Sequence, residues 1–177
     1  MTLNMKVSNK VVRIVLVLLT IFSASGILLA QSIPGLVPLD RRLVQYAQKT
    51  LTNAQVLALN TTPITIIPAQ GAGTIIEPLG GVLSFNGVTA YTINGSNLLR
   101  LWYTSRWVGP AASATITTVG FLDQSAATVI NFGGLPANEI VTVNAPIVLQ
   151  DTTGVAYTGG TATDTLIVRL AYRVHNR

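Results

Sequence analysis

The sequence predicts an all-β protein, an antiparallel β-sandwich or jelly roll of about eight to ten strands, preceded by an N-terminal hydrophobic helix and a short amphipathic helix. Three observations carry that prediction. From Pro63 onward, apolar residues recur with period two in short runs rich in Val, Ile, Thr and Tyr, bounded by Gly, Pro and Asn. No strongly amphipathic helical stretch interrupts these runs, which argues against an α/β layout. Ahead of them, between Arg13 and Asp40, there is no charged residue.

That uncharged stretch defines the first segment, residues 1–37. Lys6, Lys10 and Arg13 precede an apolar run in which Ile14, Val15, Leu16, Val17, Leu18, Leu19, Ile21, Phe22, Ile27, Leu28 and Leu29 supply the bulk. Pro34 ends a helix at about the residue before it. Residues 14–33, at about 1.5 Å each, then span about 30 Å, the thickness of a bilayer's hydrocarbon core. They are expected to be a membrane anchor, with Lys6, Lys10, Arg13, Arg41 and Arg42 at anionic headgroups. A basic start followed by an apolar run and small residues is equally the pattern of a secretory signal, with Ser23-Ala24-Ser25 and Leu28-Leu29-Ala30 as cleavage sites. Burial of the arm in protein is the third reading. Basic residues flank both ends, so the positive-inside rule sets no orientation.

Residues 38–60 begin at the second proline of a two-proline transition, residues 31–39. Leu39, Leu43, Val44, Ala47 and Leu51 recur at spacings that predict one face of a helix of about three turns, packed on the body or on copies of itself. Thr52-Asn53-Ala54-Gln55 has capping-box spacing ahead of Val56, Leu57 and Leu59, which predicts a further helical turn that Pro63 closes.

Residues 61–177 are the β body. Its runs are PITIIPA, GTIIEPL, GVLSFNG, VTAYTI, LLRLWYTS, SATITTVG, AATVINFG, EIVTVNAPIVLQ, GVAYTG and TDTLIVRLAYRVH. In the last, Leu166, Val168, Leu170, Tyr172 and Val174 share one face, and Thr165, Ile167, Arg169, Ala171, Arg173 and His175 the other. Asn86-Gly87, Asn94-Gly95 and Gly159-Gly160 read as hairpin turns. Gly71-Ala72-Gly73 reads as a turn too, since a dinucleotide fingerprint would need a further glycine and a following helix. Asp151 and Asp164 flank a predicted hairpin, in which a carboxylate of this kind more often makes an Asx-turn than binds Ca²⁺.

Composition narrows function. The 177 residues hold no Cys, so disulfides and thiol chemistry are excluded, and only 10% are charged where about 25% is usual. The net charge of +5 belongs to residues 1–49; from 50 onward five Arg balance five acids, with no Lys. Scattered Arg without Lys makes no nucleic-acid surface, so nucleic acid is not an expected partner. Sparse charge and the lack of Lys to guard strand edges point to a body covered by neighbouring subunits. A lone His175 supports no Ser-His-Asp triad and no His/Cys metal site, and the five acids show no local pairing. No catalytic, cofactor or metal site is therefore expected. Arg100, Trp102, Arg106 and Trp107 form the aromatic-basic cluster and are expected at a protein interface, because Trp and Arg dominate hot spots. A sugar-binding platform, or simple packing of Trp102 on the Arg100 stem, would use the same residues.

The runs LTNAQVLALNTTPITIIPAQGAGTIIEPLGGVLSF and DTTGVAYTGGTATDTLIVRLAYRVH resemble small β-sandwich virion proteins of tailed phages and related prophages. The likeness rests on a T-x-A-Q-h-x-x-L opening, a P-h-x-h-h-P-A-x-G-A-G strand and turn, and a final strand carrying Y-R-h, over about residues 51–177. It implies a capsid-decoration, head-fibre or spike-like subunit, often a homotrimer, in contact with the major capsid protein or other virion proteins. The arm of residues 1–50 departs from that pattern. A virion with an internal membrane would account for both halves, which places the chain in the virion at lipid. A secreted or surface-attached bacterial module, a filament subunit or carbohydrate binder with residues 1–30 as its signal, is the competing expectation.

Overall fold

The computed structural model describes residues 43–94, 97–135 and 140–177. The anchor and headgroup residues named above, Lys6 through Leu29 with Arg41 and Arg42, lie outside them. Among the described residues, no helix is long and apolar enough to cross a membrane.

The described body is mostly β. Its strands are β1 (Gln45–Thr52), β2 (Ile64–Ile67), β3 (Thr74–Asn86), β4 (Tyr91–Thr92), β5 (Leu98–Tyr103), β6 (Ile116–Thr117), β7 (Thr128–Gly133), β8 (Ile147–Asp151), β9 (Thr158–Gly159) and β10 (Thr165–Asn176). One four-stranded sheet runs β1-β10-β3-β7, a second β2-β8-β5-β6, and β4 pairs with β9. Every pairing among the described residues is antiparallel. Both larger sheets feed one apolar cluster: Leu83, Phe85, Leu166 and Val168 from the first, Leu99, Leu101, Ile147 and Leu149 from the second. The Tyr103 hydroxyl on β5 donates to the Ile76 carbonyl on β3 at 2.5 Å, tying one sheet to the other.

Period-two patterning placed the strands because alternation is what a half-buried sheet requires. In β10, Leu166, Val168, Leu170, Tyr172 and Val174 are all buried, as the alternation predicts. The capping box at Thr52 also forms. The Thr52 hydroxyl accepts from the Gln55 N–H at 3.4 Å, Gln55 accepts from the Thr52 N–H at 3.0 Å, and helix α1 (Asn53–Leu57) follows.

The amphipathic helix expected across residues 39–51 is corrected over its described part, Leu39 lying outside the described residues. Residues 45–52 are β1, paired over its whole length with β10, from Gln45↔Tyr172 to Thr52↔Thr165. Ala47 and Leu51 are four apart, an even spacing that keeps them on one face of a strand as well as of a helix. Leu43 and Val44 are exposed, so the stripe ends there. Long-range pairing to β10 satisfies the backbone and overrides local periodicity.

Two further expectations fail for a related reason. GTIIEPL and GVLSFNG, read as two runs, are the single strand β3, with a bulge where Tyr172 faces Pro78 and Ala171 faces Gly80. Gly80 has φ +127°, and a Cβ on Gly81 would strike the Arg169 carbonyl and lie 2.7 Å from the Phe132 ring, so the glycines bend the strand instead of ending it. Likewise Asn86-Gly87 and Gly159-Gly160 close no hairpins, since β3 pairs with β10 and β7 and β9 pairs with β4. Partners distant in sequence win over the local turn. The Asn94-Gly95 signal falls partly outside the described residues, though Asn97 N–H bonds to the Asn94 carbonyl at 2.7 Å. Gly71 and Gly73, both at positive φ, do form the expected turn.

The edges are better guarded than composition after residue 50 implied. Edge strand β1 carries Lys49, β2 is flanked by Pro63 and Pro68, and β6 is two residues long.

Candidate interaction surface

The aromatic-basic cluster begins on β5, where Leu99, Leu101 and Tyr103 are buried and Arg100 and Trp102 face the other way, half-buried. The Arg100 Nε–H donates to the Ser113 carbonyl at 2.7 Å, and its guanidinium sits 5.6 Å from the Trp102 ring centre. The Trp102 Nε1–H is buried without an acceptor among the described residues.

Beyond Tyr103 the chain turns through a tight loop, 104–109. Thr104 takes φ +72°, a left-handed conformation that costs a β-branched residue about 1–3 kcal/mol and persists only where surroundings enforce it. Thr104 N–H bonds to the Pro146 carbonyl at 3.1 Å, and the Val108 and Gly109 N–H groups bond to the Ser105 carbonyl at 3.2 and 3.0 Å. At Gly109 a Cβ would run into the Tyr103 carbonyl, so only glycine closes this loop.

Arg106 and Trp107 then part company. The Arg106 side chain turns inward, 7% exposed, with Nη1 at 3.1 Å from the Asp151 carbonyl and 3.7 Å from its carboxylate. The Arg106 N–H donates to Gln150 Oε1 at 3.1 Å. Trp107 lies over that guanidinium at 4.4 Å yet is 78% exposed, and Val108 beside it is 75% exposed. Of the four residues expected at an interface, Trp107 is presented outward, Arg100 and Trp102 are half-covered, and Arg106 is the loop's internal anchor.

The anchoring partner, Asp151, is the group that sequence reading undervalued. Its Oδ1 accepts from Thr153 N–H at 2.7 Å, Thr153 Oγ1 at 2.8 Å and Gly154 N–H at 2.9 Å, which is the expected Asx-turn. Its Oδ2 accepts from the Tyr157 hydroxyl at 2.7 Å and Asn97 Nδ2 at 3.2 Å. Burial pushes the Asp151 carboxyl up, but donation from Tyr157, Thr153 and Gly154 outweighs it and holds the group below the usual carboxylate value. Burial, then the bond to Asp151, drives the Tyr157 phenol upward. Asp164 behaves alike: it is buried, accepts from Val88 N–H at 3.0 Å and Thr161 N–H at 2.7 Å, and is held low against burial. These carboxylates have structural partners on every side.

The Glu77 carboxylate lies 2.8 Å from His175 Nε2 and 3.9 Å from Arg173 Nη1, on the half-exposed outer face of β10 and β3. Among the described residues, no three His, Cys, Asp or Glu side chains gather as a metal ligand set.

No family model and no curated protein matches this chain. Among solved structures, it is similar to a chain of the cyanophage Pam1 capsid asymmetric unit, at 16% identity over 81% of this chain and 94% of that one, with a TM-score of 0.38. A likeness that slight decides neither fold nor role.

Proposed function

We propose that this chain is a structural subunit of a bacteriophage particle, of minor capsid, decoration or spike type. In this reading its two sheets form a jelly-roll-type sandwich that docks among virion proteins, the major capsid protein included. The segment 14–33 holds it in a membrane internal to the particle. Copies associate with one another, a trimer being the closed form the family resemblance favours.

The observation that supports this most is where the few charges go. Of the ten charged side chains between residues 50 and 177, Asp151, Asp164 and Arg106 are spent inside the body. The exterior instead displays Tyr46, Trp107, Val108, Val129 and Ile140. A domain that met only water would carry more exposed charge to stay dispersed, whereas a subunit walled in by neighbours would not need it. An enzyme gains no comparable support, because the clustered ionisable groups are occupied in turns and ion pairs. A nucleic-acid binder gains none either, since Arg and acid balance after residue 50.

Detergent extraction of purified particles, followed by blotting and intact mass, tests the reading. Release of a full-length chain with the protein shell left intact supports it. A mature chain beginning near Gly26 or Gln31, recovered outside particles, replaces it with the secreted or cell-surface module.

A further inference from the structure

We propose that the Trp107 loop of one copy docks into a groove on the outer face of the β1-β10-β3-β7 sheet of a second copy, a head-to-tail contact between identical chains. The proposal rests on the assembled-subunit reading and names the partner of the Trp107 surface within it.

The loop is built to present its tip. Left-handed Thr104, sterically forced Gly109 and the buried Arg106–Asp151 pair all fix six residues whose apex is an indole and a valine in water. Strain and buried charge of this kind are retained where a side chain must be held in one place. A rigid Trp also loses little conformational freedom on binding, which is why such residues serve as anchors. Arg106 covers one face of the ring, and 78% exposure leaves the rest open.

The groove is the complementary feature on the same chain. It encloses about 400 Å³ and is lined by Tyr46, Gly80, Gly81, Val82, Arg169 and Ala171. Its origin lies in the register. Tyr46, Ala171 and Gly80 sit side by side across three strands, so one row falls from a large side chain to a methyl to none. The adjoining row, Gln48, Arg169 and Val82, forms the far wall. Arg169 is held across that wall by Gln48 Oε1 at 3.0 Å and Ser84 Oγ at 3.2 Å. An apolar trough of this volume admits one aromatic side chain, and a fixed guanidinium with no acid among the lining residues suits the negative face of an indole.

Electrostatics favour a second copy as the occupant. From β1 onward, Lys49 and five Arg stand against five acids, a net charge of +1, so identical bodies approach with little net repulsion. The tip extends from β5 of one sheet and the groove lies on the other sheet, so the two patches differ. Made one way, head to tail, such a contact is heterologous and builds a ring where its rotation closes.

The test places a photo-crosslinking benzoylphenylalanine at position 107 of the full chain and mixes isotopically light and heavy chains, in detergent and in particles. The expected result is light–heavy peptide pairs joining 107 to segments 80–82 or 169–171. Ala171→Glu, which fills the trough with a charge, should cut their yield at least about 30-fold, the loss typical of a hot-spot contact. Val82→Asp serves as the second groove variant if the first fails to fold. Particles that contain the chain but yield pairs only within one chain, only to another protein, or none overturn this contact alone. Absence of the chain from particles overturns the structural-subunit reading itself.

Discussion

Asp151→Ala is the most informative single change in the body. It deletes an acceptor that is wholly buried and takes five hydrogen bonds, from Thr153 (two), Gly154, Tyr157 and Asn97, and leaves the inward-turned Arg106 with the residue's main-chain carbonyl but no counter-charge. Removing one partner of a buried ion pair typically costs about 3–5 kcal/mol, because the surviving charge stays desolvated. A protein this size loses about 2–4 °C of Tm per kcal/mol, so the midpoint should fall by about 6–20 °C, against a total stability of about 5–15 kcal/mol. Urea and thermal unfolding followed by circular dichroism would measure it. The pH dependence supplies an internal control. Because the folded Asp151 carboxyl lies below its ordinary value, its contribution is complete above the unfolded value of about 3.9 and is lost as pH falls through the folded one. The gap between wild type and variant should therefore be widest at neutral pH and shrink in acid. A loss under about 1 kcal/mol at neutral pH, or a gap that does not narrow below about pH 4, would refute the claim that this carboxylate holds the Trp107 loop in place.

Thr52→Ala should cost about 1 kcal/mol by breaking the capping box, read as a shift in urea midpoint without a change in slope. Lys49→Val should leave the fold intact but raise light scattering at high concentration, since it strips the cation from edge strand β1. Burial, and then Asp164, push Tyr91 up to about 12. That raised value means stability is whole below the free phenol's value of about 10 and is lost as pH climbs through the folded one. Burial also pushes the Tyr103 and Tyr157 phenols upward, so alkaline titration of phenolate absorbance should show all three tyrosines ionising only well above the free phenol's value of about 10.

Strand content was legible because period two is imposed on each strand separately: β10 could be assigned residue by residue from alternation alone. The Thr52 capping box was legible because its chemistry closes within four residues. What could not be read were relations between distant segments. Leu51 and Ala47 fit either period until β10 is known to lie beside them, and Gly80-Gly81 resembles a turn until Phe132 and Arg169 are seen against it. At the interaction surface, alternation correctly placed Arg100 and Trp102 on one face. The inward turn of Arg106 could not be read, because its partner, Asp151, lies far along the chain and on another strand. The Asx-turn at Asp151 was visible locally; the ion pair that makes it the loop's mooring was not.

The position of β10 between β1 and β3 has a temporal consequence. On a translating ribosome the first sheet has no middle until residues 165–176 emerge, so β1 and β3 must wait with their hydrogen-bonding edges open while the intervening chain is made. Contacts so remote in sequence close slowly, and waiting strands are prone to pair wrongly. Stop codons or frameshifts within β10 should thus yield an insoluble product rather than a slightly shortened body, and a chaperone that masks β1 during synthesis should raise the yield of the full chain.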